Sequence, residues 1–298
     1  MNYETLYNTI QAYAENTESL FVANIPVFVQ QTEERIYNSV QLPSLRKNVT
    51  GNVTADNQYL SLPNDWLSSY SVAVIDGSGN YSYLLNKDVN YIREAYPSPS
   101  LNKGLPKYYA LFGSRISDIN ELSFILGPTP DQSYSVEMHY FYYPPTIVQG
   151  QISTLTNLSG GSLYTDGVYQ NVALTGGSGA NATADIAIIG GSVVTCTLKF
   201  GGNFYVAGDV LTSASIGPTG AGFTITVGAV SNSTGTSWLG DNFDPVLLYG
   251  SMREAMLFMK QEQDLVSYYE QKYTEAVAEL IRLGTGRSEE HTSELQSH

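Results

Sequence analysis

Apolar residues in the first forty positions recur at helical spacing. Over residues 4–16 they return every three or four positions, which is the pattern of an amphipathic helix. A second helix is predicted to begin near Asn24, because asparagine caps helices well and Pro26 would then lie in the first turn, where its missing N–H costs nothing. This helix is expected to end before Pro43. The two segments together predict a short helical hairpin.

Between residues 45 and 145 the pattern changes to short runs of β-branched and aromatic residues that are separated by turn residues. The turn sequence Asp76–Asn80 separates two such runs and predicts a β-hairpin. In the run 134–140, apolar and polar residues alternate, so every second side chain is expected on the same face. The predicted strands are 52–54, 59–63, 71–75, 81–84, 108–112, 121–126 and 134–140. They fit a compact antiparallel sandwich or barrel.

Residues 150–235 have a different composition from the rest of the chain. They contain 17 of the 27 glycines but only four charged residues. Short apolar runs separated by Gly-Gly turns predict strands at 170–174, 184–189, 193–200 and 223–230. We interpret this stretch as an inserted all-β module, because a helical pattern returns after it.

The C-terminal region predicts two further helices. The first is expected to begin at Asp244-Pro245 and the second after Asp264. Isolated helices of this length are marginal in water, so the N-terminal hairpin is their expected partner. The predicted fold class is therefore α+β, with a helical bundle formed by both ends of the chain. The predicted domains are a main body at 1–149 with the helical hairpin and the first set of strands, the inserted module at 150–235 and the bundle-completing helices at 236–286.

The last twelve residues, 287–298, resemble the translation of a short-read sequencing adaptor. Such a segment carries no information about the fold, so it is excluded from the interpretation. On this reading the true C-terminus lies beyond about residue 286 and is not given by the sequence.

Composition excludes several classes of function. The formal net charge is −14, which argues against wrapping nucleic acid, because phosphate binding requires clustered lysine and arginine. It equally disfavours docking on anionic membranes, and no stretch approaches the roughly 18 apolar residues of a membrane span. The single cysteine cannot form an intramolecular disulfide. We therefore expect a protein that is made and used without secretion and without membrane anchoring.

The sequence contains no recognisable catalytic constellation. His139 is the only histidine outside the terminal twelve residues and lies in an alternating strand, so a structural histidine is favoured over a general base. Cys196 is likewise favoured as a strand thiol. Asp166, Asp185 and Asp209 could ligate calcium, but scattered single aspartates usually cap turns. The prediction is a non-enzymatic protein with no catalytic residue, no cofactor and no metal site.

Two tyrosine clusters are the candidate interface residues. Tyrosine buries a large area at low entropic cost and keeps a hydroxyl for hydrogen bonding, so aromatic surfaces are typical of protein interfaces. An ordinary strand or helix with one buried face would show the same pattern, and both interpretations stay open. The candidates are Tyr140, Tyr142, Tyr143, Tyr268, Tyr269 and Tyr273.

Several motifs outside the Gly-rich stretch resemble the tail tubular protein A family, the head-to-tail adaptors of short-tailed bacteriophages. Each motif alone is weak, and their order along the chain gives the resemblance its specificity. The matching segments are 21–26, 33–36, 59–66, 104–110, 126–131, 140–145, 238–240 and 247–250. The Gly-rich stretch departs from this pattern and resembles small β modules of other phage virion proteins.

The resemblance implies a structural virion protein without enzymatic activity. Its expected partners are copies of itself in a ring, a dodecamer by the family's pattern, together with the portal protein and a tail nozzle protein similar to tail tubular protein B. The ring would extend the channel through which DNA leaves, and an acidic chain would let DNA pass without specific binding. The expected location is the tail or neck of the virion, after assembly in the host cytoplasm.

The inserted module leaves three roles open: exposed decoration, contact with a tail fibre, or binding to the host surface. The alternative function for the whole chain is a glycan-binding tail or surface protein. In that alternative, the tyrosine-rich strands and the Gly-rich module would form a shallow sugar site.

Overall fold

The computed structural model describes the backbone of residues 1–114, 122–217 and 219–295, and the side chains within these ranges up to residue 283 except that of Ser114. The helices are α1 (Tyr3–Ala14), α2 (Ser19–Ser39), α3 (Val89–Ala95), α4 (Trp238–Asn242), α5 (Asp244–Phe258) and α6 (Gln263–Leu295). The first eight strands are β1 (Arg46–Val53), β2 (Tyr59–Ser61), β3 (Trp66–Ile75), β4 (Tyr81–Tyr83), β5 (Leu85–Asn86), β6 (Tyr108–Ser114), β7 (Leu122–Gly127) and β8 (Tyr134–Tyr142). The remaining strands are β9 (Gln151–Ser162), β10 (Gly167–Ala173), β11 (Ala180–Ile189), β12 (Ser192–Asn203), β13 (Val210–Leu211) and β14 (Ala221–Ser231).

The described chain forms two compact units, and its class is α+β as predicted. The central unit consists of residues 41–144. The split unit consists of residues 1–40 and 145–283, so it contains both the N-terminal hairpin and the C-terminal helices.

The central unit is a sandwich of two four-stranded sheets. One sheet has the order β1-β8-β3-β4 and is antiparallel throughout. The other has the order β2-β7-β6-β5, in which only the β5–β6 pair is parallel. Neither sheet closes on itself, so the predicted sandwich describes the arrangement and a barrel does not.

The core of the central unit follows from the alternation in β8. Tyr134, Val136, Met138 and Tyr140 are all buried on one face, as the period-two pattern predicted. The buried side chains packed with them include Val53, Val72, Val74, Tyr109, Phe124 and Leu126. Helix α3 covers the other side of the second sheet through Ile92. Burial of the alternate residues therefore holds the sandwich together.

The hairpin predicted at Asp76–Asn80 is confirmed as the β3–β4 connection. The carboxylate of Asp76 accepts hydrogen bonds from the backbone N–H groups of Ser78 (2.8 Å) and Asn80 (2.9 Å), which fixes the turn. The strands on either side of residues 55–57 do not pair with each other. Instead, β1 pairs with β8 and β2 pairs with β7. Long-range pairing therefore overrides sequence adjacency at this turn.

In the split unit, α1, α2 and α5 pack against one another, and α6 adds to this bundle through Tyr273, Ala276 and Leu280. The boundary predicted for the second helix is wrong. Helix α2 begins at Ser19 rather than near Asn24, so Pro26 lies inside the helix and not in its first turn. The reason is burial: Phe21 and Ile25 are almost fully buried, and their packing extends the helix beyond the preference of Pro26 for a helix start.

The C-terminal helix boundaries differ slightly from those predicted. Helix α5 begins at Asp244 as predicted, whereas α6 begins at Gln263 rather than after Asp264. The sequence pattern also missed α4, whose cap is Ser237; its hydroxyl accepts a hydrogen bond from the N–H of Gly240 at 3.1 Å. Helix α6 continues to Leu295, within the sequencing-adaptor-like terminal residues 287–298, and residues 296–298 lie outside the described residues.

The β strands of the split unit form two three-stranded sheets, β10-β11-β12 and β13-β14-β9. They enclose a core of their own, with Ala182, Ala184, Ile186, Leu211, Ile216 and Phe223 among its most buried members. Strand β9 was not predicted, because its sequence is dominated by serine, threonine and glycine and only Ile152 is buried. Its pairing with β14 along nearly the whole strand fixes it instead.

Candidate interaction surfaces

Tyr140 belongs to the core of the central unit. Its side chain is 3% exposed, and its hydroxyl donates to Oδ1 of Asp65 at 2.9 Å. Lys47 Nζ contacts Oδ2 of the same carboxylate at 2.5 Å. Burial raises the pKa of Tyr140 to about 12, and the carboxylate of Asp65 adds to this effect. Tyr140 therefore holds the end of β8 in place and presents little surface to a partner.

Tyr142 and Tyr143 are half-buried and keep exposed surface. Lys47 Nζ lies 4.0 Å from the centroid of the Tyr142 ring, and the N–H of Tyr143 donates to the carbonyl oxygen of Asp65 at 2.8 Å. The same Lys47–Asp65 pair thus orders Tyr140, Tyr142 and Tyr143. A contact surface made from Tyr142 and Tyr143 would be rigid before a partner arrives, which lowers the entropic cost of binding.

The second tyrosine cluster lies on α6, and its members differ in exposure. Tyr268 is 51% exposed and meets Tyr269 edge-on, with ring centroids 5.3 Å apart. Tyr273 is buried, and burial raises its pKa. Burial also raises the pKa of Tyr269. Tyr268 and part of Tyr269 therefore remain candidate contact residues, whereas Tyr273 packs inside the bundle.

Tyr273 fits inside the bundle because α5 has a glycine opposite it. A Cβ atom at Gly250 would lie 2.3 Å from Cγ2 of Thr32 on α2 and 3.0 Å from Cε2 of Tyr273. Charged residues secure the same helices at the surface: Arg35 Nη2 lies 2.9 Å from Oε1 of Glu254, and Arg253 bonds both Glu254 and Glu270. Close packing and a network of ion pairs thus position α6 on α2 and α5.

Phe204 anchors the strands of the split unit on α1. Its ring centroid lies 5.2 Å from that of Tyr3 and 5.4 Å from that of Tyr7, although its φ of 62° is in the left-handed region. The neighbouring Asn203 donates from Nδ2 to the Tyr3 hydroxyl at 3.3 Å. The strained backbone at Phe204 is retained because it directs the ring into this contact.

Glu33 is a buried carboxylic acid on α2. It is 3% exposed, and it accepts hydrogen bonds from the hydroxyl of Thr146 at 2.6 Å and from the N–H of Ile147 at 2.8 Å. Burial raises its pKa to about 7, against the lowering effect of these two bonds. This side chain ties the segment at residues 146–147 to α2, and no basic side chain forms an ion pair with it within the described residues.

His139 and Cys196, the two candidates for catalysis in the sequence, both lie within strands. His139 lies on β8 with Nε2 at 3.2 Å from Oε1 of Glu137. Cys196 lies on β12, and burial raises the pKa of its thiol to about 11, which keeps it protonated and unreactive at neutral pH. Neither side chain has a second catalytic partner of the kind that nucleophilic catalysis requires among the described contacts.

The three aspartates considered for calcium each hold a different part of the strand region. Asp166 accepts from the N–H of Gly191 at 2.7 Å, and Asp185 accepts from the N–H of Asn171 at 2.9 Å. Asp209 accepts bonds from the N–H groups of Ser178 and Val206, both at 3.0 Å. Asp166 and Asp209 thus fix turns, and Asp185 fixes the bulge of β10 that contains Asn171. No cluster of metal-ligating side chains occurs in the described part of the chain.

Exposed apolar side chains also occur where sequence reasoning did not place an interface. Tyr81 and Tyr83 on the edge strand β4 are 50% and 67% exposed, and their rings stack at 6.4 Å. Alternation over residues 81–83 was a usable signal, because both tyrosines share one face of a short edge strand. Further exposed residues lie at the ends of α1, α5 and α6, where no sequence motif marks them: Tyr13, Leu257, Phe258 and Leu265.

A groove of about 560 Å³ lies between α2 and the strands of the split unit. Its lining is uncharged and includes Leu20, Val27, Leu174 and Phe200. Glycan binding, the alternative function predicted from the sequence, stays a prediction.

In the part of the chain that is described, no helix combines the length and the apolar character needed to cross a bilayer.

Residues 1–176 match the family model described as SU10 adaptor protein. The match covers more than half of the chain and includes α1, α2, the whole central unit and strands β9 and β10. No curated protein matches the chain.

Proposed function

Because the chain belongs to the SU10 adaptor protein family, a family of phage adaptors, we propose that it is a head-to-tail adaptor that forms a ring between the portal and the tail nozzle. The ring would extend the channel for DNA ejection, as in the tail tubular protein A proteins that its motifs resemble. The observation that carries this proposal is the family match over residues 1–176. A phage adaptor is a structural virion component, so its role is assembly rather than catalysis.

The structure of the two units supports a role in assembly. Identical subunits in a ring contact each other through two different surfaces, so each copy must present two complementary faces. Partly exposed tyrosines on both units supply such surfaces: Tyr142 and Tyr143 on the central unit, and Tyr268 on the split unit. Ordered aromatic side chains bury large areas at low entropic cost.

The charge of the chain supports the role in DNA passage. A conduit should not hold the nucleic acid that moves through it, and a net charge of −14 repels phosphates. We propose that DNA passes through the ring without specific contacts.

We further propose that residues 150–235 are an insertion into an adaptor body formed by 1–149 and 236–286. The strands β9–β14 support this division, because they enclose a hydrophobic core of their own. The proposed partners of the ring are the portal protein and a nozzle protein. The module could additionally contact a tail fibre.

The experiment that tests the proposal mixes the purified chain with the portal protein of the same phage. Negative-stain imaging should show rings of this protein stacked coaxially on the portal, with a dodecamer as the expected subunit number. A sample that contains the portal alone should lack this second, stacked ring. If the chain does not associate with the portal, and stays monomeric both alone and in the mixture, the proposal is wrong.

A further inference from the structure

One end of the helical bundle carries a cluster of exposed apolar side chains. Helices α1 and α5 end there and α2 and α6 begin there, and Asn16 Nδ2 contacts Met259 Sδ at 3.4 Å between the two turns. The bundle-end patch consists of residues that are 38–66% exposed: Tyr13, Leu20, Leu257, Phe258, Leu265 and Tyr268. Monomeric proteins rarely expose so many large apolar side chains together, and such clusters mark protein contacts.

The rim of the bundle-end patch is acidic. Glu15 and Glu18 lie in the turn before α2, and Glu262 and Asp264 lie at the start of α6; all four are exposed. Lys260 is the only basic residue of the two turns. None of the four carboxylates forms an ion pair with another described residue. A partner surface for this patch should therefore offer apolar groups surrounded by basic side chains.

The central unit presents a surface of that kind around α3. The α3 patch consists of Leu85, Lys87, Tyr91, Arg93, Tyr108 and Phe112. Lys87 Nζ lies 5.2 Å from the centroid of the Tyr91 ring, and Arg93 Cζ lies 5.3 Å from that of Phe112. Tyr91 meets Tyr108 edge-on at 5.4 Å. Lys87 before the helix and Arg93 in its last turn are thus exposed cations, each held beside an aromatic ring.

The α3 surface is basic although two acidic residues also lie there. Asp88 caps the helix by accepting a hydrogen bond from the N–H of Asn90 at 2.8 Å, and Glu94 is exposed. Lys107 lies beside β6 and adds a third cation to Lys87 and Arg93. Six other basic residues of the described chain already form ion pairs with its own carboxylates: Arg35, Lys47, Lys103, Lys199, Arg253 and Lys272. Lys87, Arg93 and Lys107 form no such ion pair within the described residues, so all three are available to an acidic partner.

We propose that the bundle-end patch of one copy docks on the α3 patch of the next copy. The inference rests on the proposed ring, because two different patches with opposite rim charge form the head-to-tail contact that a ring requires. Burial of Leu257, Phe258 and Tyr268 against Tyr91 and Leu85 supplies most of the affinity, and the charged rims set orientation and partner choice.

Charge reversal tests the pairing directly. The first variant is K87E/R93E, and the second is E15K/E262K, which changes one residue in each turn of the bundle end. Each alone places like charges across the contact and should weaken self-association at least about tenfold. The chain that carries all four substitutions restores opposite charges and should self-associate like the unmodified protein. A matched control, E4K/E279K, changes two exposed glutamates outside the patch by the same total charge and should have no effect.

Sedimentation velocity measures the self-association of each chain, and circular dichroism checks that each is folded. As a second measurement, raising the salt concentration should weaken the association of the unmodified protein, because charged rims are screened. Undiminished rings in K87E/R93E, or failure of the four-substitution chain to recover, would overturn the pairing while leaving the adaptor function intact. If the unmodified protein forms no rings either alone or with the portal, the proposed function and the pairing are overturned together.

Discussion

Glu33 gives the sharpest test of how the split unit is held together. Its carboxyl group is buried between α2 and the segment at residues 146–147, where Thr146 and Ile147 donate hydrogen bonds to its two oxygens. The substitution Glu33→Gln keeps the shape of the side chain and removes its charge. The amide oxygen can still accept from the N–H of Ile147, and the amide nitrogen can donate to the Thr146 hydroxyl oxygen.

The direction of the pH effect follows from the raised pKa. Below the ordinary value of 4.5, Glu33 is protonated in both the folded and the unfolded chain. Between 4.5 and about 7, the unfolded chain releases this proton while the folded chain keeps it, so stability falls as the pH rises. The gap between these two values corresponds to about 3 kcal/mol in the free energy of unfolding, and the loss persists at higher pH.

The assay is urea unfolding at several values between about pH 5 and about pH 8, followed by circular dichroism. The free energy of unfolding of the original protein should fall by about 2–3 kcal/mol across this range through Glu33. Glu33→Gln should remove that fall and leave the variant the more stable protein at the alkaline end. The matched control is Glu34→Gln at the exposed neighbouring position, which should leave most of the fall in place, because the charge of Glu34 makes the smallest of the contributions to the raised pKa of Glu33.

Parallel pH profiles for the original protein and Glu33→Gln would refute this reasoning. They would mean that the carboxylate is stabilised in its charged form and that burial does not govern its titration. Direct titration of the Glu33 carboxyl carbon by NMR separates the two cases, because a midpoint near 4.5 would contradict the raised pKa.

Two substitutions test the packing of the split unit by thermal or chemical unfolding. Gly250→Ala should lower the free energy of unfolding by about 1–3 kcal/mol, because its Cβ would lie 2.3 Å from Cγ2 of Thr32. The control Gly77→Ala should be nearly neutral, because its Cβ would have no atom within 4 Å. Equal effects of the two substitutions would contradict the packing. Phe204→Ala should cost about 2 kcal/mol through loss of the ring contact with Tyr3, and Phe204→Gly should be the milder change at a φ of 62°. If Phe204→Gly lowered the stability more than Phe204→Ala, the left-handed backbone would not be strained.

Local patterns predicted much of the fold, and long-range contacts decided the rest. The turn at Asp76–Asn80 was predictable because aspartate bonds its own turn N–H groups, and the alternation in β8 was predictable because one face is buried. The start of α2 was not, because the burial of Phe21 in the bundle outweighs the local preference of Pro26. Strand β9 was missed because its pairing with β14, rather than its own composition, makes it a strand.

The tyrosines show where sequence reasoning about surfaces reaches its limit. An aromatic cluster has the same pattern whether it faces a core or a partner, so the sequence left both interpretations open. The structure separates them: Tyr140 and Tyr273 are buried, while Tyr142, Tyr143 and Tyr268 keep exposed surface. Exposure depends on which elements pack nearby, and that information lies in contacts between distant parts of the chain.

Imaging of the intact virion neck by electron cryomicroscopy tests the central claim most directly. The account predicts a closed ring of copies of this chain between the portal and the tail, with the central channel open to DNA. Absence of the chain from purified particles, or density for isolated copies away from the portal, would contradict it.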